Sequence, residues 1–239
     1  MTIQHSSRGR AHSPGDRPPY LVFSDVDETL VSGKSMFDFH RFHLTHRHGL
    51  RGEGDFRLIW DGLLAASAAG ESRAEVNRRY YRHYTGEDAA ELARLGRHWF
   101  ARYGAEPGFF IEDTLAALRR HRAAGAEIVL VSGSFPACLT PIAEFVDASH
   151  LLCTDPVLAD GRYTGEITEP VIGEGKRSAV LALLADYPDV DPADCFAYGD
   201  HPSDLPLLEC VGHPTVVGDH PELLRLMSLR STLPVRNQR

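Results

Sequence analysis

The chain has 239 residues, enough for one large domain or for a core with a smaller inserted domain. Hydrophobic residues at 43% and charged residues at 24% sit near the globular average, so a packed core is expected without disulfide support. The net charge of −8 comes with no basic stripe, which argues against nucleic-acid binding; no apolar run reaches the roughly 18 residues a membrane span needs.

Residues 1–18 are rich in Ser, Arg, Gly and Pro and lack the apolar stretch of a secretory signal, so they read as a disordered tail. Tyr20-Leu21-Val22-Phe23-Ser24-Asp25 reads as a buried parallel strand with acids at its carboxyl end. Residues 33–124 contain no strand-like run. Periodic stretches near 35–48, 55–68, 72–83 and 87–103 predict helices, and Ile111 to Arg122 predicts one more, ending before Gly125.

From residue 126 onward, strand and helix alternate. Ala126 to Ser132 is the second strand and Ala137 to Phe145 a helix; His150-Leu151-Leu152-Cys153 is the third strand. Asp160-Gly161 marks a hairpin turn between Val157-Leu158 and Tyr163-Thr164. Lys176 to Tyr187 has helical spacing, Cys195 to Tyr198 is a strand, and Pro202 suits the first turn of a helix. Pro214 to Val217 is the last strand, followed by a helix from Pro221. The alternation predicts an α/β fold, a doubly wound parallel sheet with helices on both faces. The expected organisation is a tail (1–18), a sheet core (19–32 and 125–230), an inserted α-helical cap (33–124) and a C-terminal tail (231–239).

Cys138, Cys153, Cys195 and Cys210 form no CxxC pair and read as reduced cysteines of a cytoplasmic protein rather than a zinc site. His40, His43 and His46 recur every third residue. They read as a partly exposed helical stripe interleaved with Phe37, Phe39 and Phe42, with a metal site as the alternative.

Four clusters lie at the carboxyl ends of the predicted strands, where open α/β sheets bind ligands. The first, Asp25-Val26-Asp27-Glu28-Thr29-Leu30, brings two carboxylates close together, a repulsion that a hard cation such as Mg²⁺ relieves. One carboxylate can then attack phosphorus while the other carries a proton. A solvated acidic turn is the plain alternative. Ser132-Gly133-Ser134 offers a hydroxyl and backbone N–H groups to phosphate oxygens. Lys176 stands at a helix start, from which an ammonium can offset negative charge. Asp200 and Asp204 end the series, one able to bind metal and the other to orient the lysine or the metal's waters.

With these four clusters in order, the sequence resembles the haloacid dehalogenase superfamily over residues 20–32 and 125–225, and the long helical insertion resembles that of its phosphoserine-phosphatase-like branch. The resemblance implies Asp25 as nucleophile and magnesium ligand. It implies Asp27 as proton donor and then base, with its main-chain carbonyl on the metal. Ser132 and Lys176 would hold the phosphoryl oxygens, Asp200 would complete the metal site, and Asp204 would support it from behind. Gly133, Ser134 and Lys34 are expected to contact substrate. True dehalogenases lack an aspartate at the position of Asp27 and ion-pumping ATPases carry threonine, so Asp27 points to phosphoester hydrolysis.

Two departures bear on substrate. Phosphoserine phosphatases place a glutamate nine residues after the nucleophile, where it meets the substrate ammonium; this chain has Lys34, which disfavours an amino-acid substrate and favours another anionic group. Ser203 replaces the usual asparagine before the last aspartate, which removes no metal ligand. The expected activity is Mg²⁺-dependent hydrolysis of a small-molecule phosphomonoester through an aspartyl-phosphate. Phosphoryl transfer to a second alcohol, or non-catalytic binding of a phosphorylated ligand, are the alternatives. Neither a nucleic-acid nor a membrane partner is expected.

Overall fold

The structure, a computed structural model, describes residues 18–231. Nearly all of the N-terminal tail and of the C-terminal tail fall outside these residues. Strand β1 (Leu21–Ser24) is followed by four helices, α1 (Ser35–His48), α2 (Leu50–Ala68), α3 (Arg73–Tyr81) and α4 (Ala89–Tyr103), with a short 3₁₀ turn at Arg82–Tyr84 after α3. Next come α5 (Glu112–Ala123), β2 (Glu127–Ser132), α6 (Pro136–Phe145) and β3 (His150–Cys153). A hairpin, β4 (Pro156–Ala159) and β5 (Arg162–Ile167), leads to α7 (Glu174–Ala185) and β6 (Phe196–Gly199). The chain closes with α8 (Leu205–Leu208), β7 (His213–Val216) and α9 (Pro221–Ser231).

Five parallel strands form one sheet in the order β3-β2-β1-β6-β7. Period-two alternation sends neighbouring residues to opposite faces, so continuous apolar runs make two cores at once. Val22, Ile128 and Leu130 join a core with Leu118 of α5 and Leu139 and Ile142 of α6. Leu21, Phe23, Val129 and Val131 join the other with Val180, Leu183 and Leu184 of α7 and Leu207 and Leu208 of α8. The doubly wound sheet expected from the alternation is therefore present.

The helices between β1 and β2 have their own local reasons to form. Ser72 and Glu75 make a reciprocal capping box at the start of α3, and Asp88 caps α4 by accepting the Glu91 N–H. In the hairpin, Asp160 and Gly161 both adopt positive φ, 51° and 76°, the pair of left-handed residues that a two-residue turn between twisted strands requires. The hairpin docks on the helical segment: Tyr163 N–H donates to Glu87 O, Gly86 N–H donates to Tyr163 O, and Arg162 reaches the Gly86 carbonyl. Pro202 opens a 3₁₀ turn (Pro202–Asp204) rather than an α-helix, which begins only at Leu205. Asp204 accounts for the tight turn, because its carboxylate accepts the N–H groups of Asp200 and His201 and pulls the chain back on itself.

Candidate active site

Asp25 directly follows β1, and its N–H continues the ladder by donating to the Tyr198 carbonyl at 3.0 Å. The chain then turns tightly. Glu28 takes φ 65°, and the N–H groups of Leu30 and Val31 both converge on the Val26 carbonyl at 2.9 Å. This loop holds Asp25 and Asp27 at the carboxyl edge of the sheet, Asp25 only 6% exposed.

Lys176, in the first turn of α7, bridges two of the other elements. Its Nζ donates to Asp25 Oδ1 at 2.5 Å and to Asp204 Oδ1 at 2.7 Å, and the side chain is buried. Asp204 spends its second oxygen on the backbone N–H groups of Asp200 and His201, at 3.2 and 3.0 Å. Thr29 ties the remaining carboxylates together, donating to Asp200 Oδ1 at 2.9 Å with Asp25 Oδ2 at 3.4 Å. Asp25, Asp200 and Asp204 thus offer oxygens within 4.8 Å of one another, an acidic cluster with the donor atoms to hold a metal ion.

Asp27 faces a different set of partners. Its Oδ1 accepts the Ser35 N–H at 2.8 Å, and its Oδ2 accepts the Ser134 hydroxyl at 3.1 Å. Ser134 is fully buried, and its hydroxyl is turned to Asp27 rather than to the cavity. Its N–H donates to Ser132 Oγ at 3.1 Å, and Ser132 and Gly133 do line the cavity. Asn77 Nδ2 and Tyr81 OH, from α3, both donate to the Gly133 carbonyl at 3.0 Å, so the helical segment fixes this peptide from above. Lys34 lines the cavity, but its ammonium forms an ion pair with Glu28.

Burial sets the protonation of these groups. It pushes Asp25 well above the ordinary carboxylate range; Lys176 opposes the shift, while Asp204 and Asp27 add to it. Asp27 is likewise raised by burial, against the hydrogen bonds from Ser35 and Ser134. Asp200 is raised by burial, with Thr29 pulling the other way and Asp204 and Glu28 adding to the shift. Burial alone would raise Asp204 too, but Lys176 and the two backbone N–H groups hold it below the ordinary value. Burial would lower Lys176; Asp204 and Asp25 together hold it above its ordinary value, as an ammonium.

A cavity of about 250 Å³ opens over this cluster. Its floor is Asp25, Asp27, Ser132, Lys176 and Asp200, and its walls come largely from α1, α2 and α3. The structure brings together Asp25, Asp27, Ser132, Gly133, Lys176, Asp200 and Asp204, all expected from sequence. Thr29, Ser35, Asn77 and Tyr81 also shape the site and were not singled out. Thr29 had a signal, a hydroxyl two residues after Asp27 in the same loop, and Asn77 and Tyr81 share a helix face at i, i+4. Ser35 acts through its backbone N–H and through a hydroxyl 3.1 Å from that of Ser134, and no motif in the sequence marks it.

The histidine stripe departs from the expected partial exposure. His40 and His43 are buried and only His46 is exposed. Among the described residues, the grouping of three metal-capable side chains is Asp25, Asp200 and Asp204, and the histidines do not converge. Cys138, Cys153, Cys195 and Cys210 are free thiols. No helix among the described residues is long and apolar enough to cross a membrane.

A five-stranded parallel sheet with clustered acids at its carboxyl edge under helices is a doubly wound α/β architecture compatible with a hydrolase. The chain belongs to the haloacid dehalogenase-like hydrolases, whose family model matches residues 22–209. Among its relatives, a protein of Mycobacterium tuberculosis named "Probable phosphatase" is 39% identical over 96% of this chain and 82% of its own length. The "Inhibition of morphological differentiation protein" of Streptomyces azureus is 33% identical over 87% of this chain and 75% of its own length. A solved structure of a Bordetella pertussis Tohama I protein of unknown function superposes with a TM-score of 0.77 at 28% identity, over 90% of this chain and 97% of that one. A substrate-bound phosphoserine phosphatase, at 14% identity and a TM-score of 0.63 over 91% of this chain and all of that one, shares the fold.

Proposed function

We propose that the protein is a Mg²⁺-dependent phosphatase that hydrolyses a small-molecule phosphomonoester through a phosphoryl group carried on Asp25. The observation that carries this reading is the Lys176 ammonium bridging Asp25 at 2.5 Å and Asp204 at 2.7 Å beneath a cavity, with Asp27 oriented two residues on by Ser35 and Ser134. Family membership and the phosphatase relatives support it.

The donor set fits magnesium. It is made of carboxylate oxygens, and burial disfavours ionising Asp25 and Asp200 side by side unless a further positive charge joins Lys176. Asp25, Asp200 and the main-chain carbonyl of Asp27 would hold the ion, with Asp204 behind them. Bound there, it supplies Lewis-acid stabilisation of charge on the phosphoryl oxygens.

The protein's own groups carry the steps. A carboxylate oxygen of Asp25 attacks phosphorus, the phosphorus–ester oxygen bond breaks, and Asp27 gives its proton to the departing alcohol. The raised pKa of Asp27 keeps that proton available. Ser132 Oγ already accepts the Ser134 N–H, so its own O–H remains to donate to a phosphoryl oxygen alongside Lys176. Asp27, now ionised, takes a proton from water. The water oxygen attacks phosphorus, the bond to Asp25 breaks, and inorganic phosphate leaves. Helices α1 to α3, as a cap over the site, keep water away until the alcohol has gone.

The test is phosphate release from a panel of phosphomonoesters with Mg²⁺ and with chelator. Release should require Mg²⁺ and fall by more than about a thousandfold in Asp25→Asn. Chelator-insensitive release, or an active Asp25→Asn, would sink the reading.

A further inference from the structure

The cavity walls say what kind of alcohol the phosphate is attached to. Above the acidic floor, the apolar part of the wall is Phe37, Trp60, Leu63, Leu64, Val76 and Ile172, with Ser67, Arg73 and Asn77 among them. Phe37 and Trp60 meet edge to face with ring centroids 4.6 Å apart, which sets the aromatic wall in one orientation. Leu64 lines the cavity while 49% exposed, so the core leaves much of it uncovered.

The charges point the same way. The carboxylates lining the cavity are Asp25, Asp27, Glu28, Asp200 and Asp204, all from the loops after β1 and β6; α1, α2 and α3 contribute none to the described lining. Glu28, the acid outside the phosphate-handling set, is paired with Lys34. At the mouth, Arg73 lies 3.1 Å from the ring of His201, so an ammonium arriving there meets a cation and no unspent acid. A substrate carrying an α-amino group would exchange its hydration for no free carboxylate and at most the side-chain oxygen of Asn77, a buried acceptor in the lining without a hydrogen-bond partner. The Lys34 ammonium, whose sequence position suggested an anion site, is paired with Glu28.

We propose that the substrate is the phosphomonoester of an apolar alcohol, aromatic or branched aliphatic, seated against the wall of Phe37, Trp60 and Leu64, and not a phosphorylated amino acid. This rests on the phosphatase reading above. The wall removes apolar surface from water, and a well-fitted apolar group is worth tenfold or more in discrimination.

The experiment compares kcat/KM for 2-phenylethyl phosphate, ethyl phosphate and O-phosphoserine with Mg²⁺ present. The two unfunctionalised esters have similar leaving groups, so their ratio reports the wall. We expect 2-phenylethyl phosphate to exceed ethyl phosphate by about tenfold or more, with O-phosphoserine below both. The ratio of the first two should collapse toward one in Trp60→Ala. Leu64→Ala, at a half-exposed position that folding tolerates, should lower it in the same direction. O-phosphoserine turned over as well as 2-phenylethyl phosphate, or a ratio unchanged in both variants, would overturn the apolar class and leave the phosphatase standing. Release from none of the three esters, in folded Mg²⁺-loaded protein, would overturn both.

Discussion

His40 lies fully buried on α1 with neither ring nitrogen hydrogen-bonded, between the rings of Tyr80 at 5.3 Å and Tyr84 at 4.8 Å. Burial, then the charges of His43 and His83, push its pKa from the ordinary 6.5 down to about 3. The sign of the consequence follows. Between those two values the unfolded chain binds a proton that the native chain refuses, so stability is whole above pH 6.5 and drains away as pH falls toward 3. His40→Leu removes the orphaned polar atoms and the linkage together. Urea midpoints at pH 7 and pH 4.5 should show the variant losing less stability on acidification than the wild type, by on the order of 2 kcal/mol. An equal acid loss in both would show that His40 does not carry it. Sequence periodicity put His40 on a helix but could not tell which side faced inward, because Phe37, Phe39 and Phe42 alternate with the histidines around α1 and give it no clear apolar face.

At the scale of elements, two glycines inside helices have opposite expected effects. Gly96 on α4 lies against α6 so closely that a β-carbon would stand 1.7 Å from the Ala137 carbonyl oxygen. Gly62 on α2 has nothing within 4 Å of that position. Gly96→Ala therefore forces α4 and α6 apart and should cost on the order of 2 kcal/mol despite the better helix propensity of alanine. Gly62→Ala should gain up to about 1 kcal/mol from that propensity. Thermal melts of the two variants, moving in opposite directions from the wild type, check the packing; a harmless Gly96→Ala would mean that the two helices are not so closely packed. In the sequence both positions read alike, as a lone glycine in a helical pattern. What separates them is a helix that meets Gly96 at Ala137, about forty residues further along the chain. The strands were legible for the opposite reason. β3 and the hairpin β4–β5 announce themselves within a few residues, through an apolar run in one case and Asp160-Gly161 in the other.

For the whole molecule, legibility follows from how far apart a site's parts lie in the sequence. Asp25, Ser132, Lys176 and Asp200 each stand at or beyond the end of an apolar strand or at a helix start. A parallel sheet collects such ends on one edge, so their convergence could be read without coordinates. The walls could not. Trp60, Leu64 and Asn77 sit on helices whose angle over the sheet depends on long-range contacts such as Asn77 and Tyr81 to Gly133 and the hairpin's hold on Gly86 and Glu87.

The same long-range assembly would make binding of the proposed ion a property of folding. Asp25 follows β1 and Asp200 follows β6, 175 residues apart in number, so the unfolded chain cannot present them together. An ion that binds only the folded state stabilises it by about 2.7 kcal/mol at a hundred times its dissociation constant. For a chain of this size, that corresponds to a rise in Tm of about 5–10 °C. Wild type should show this rise on saturation with Mg²⁺. Asp200→Asn, which keeps the shape but loses a charged ligand, should show little of it while melting near the metal-free wild type. The comparison needs no substrate. If Asp200→Asn gained as much as wild type, the ion would be bound elsewhere, and the acidic cluster would be stabilised by Lys176, Thr29 and the backbone N–H groups of Asp200 and His201.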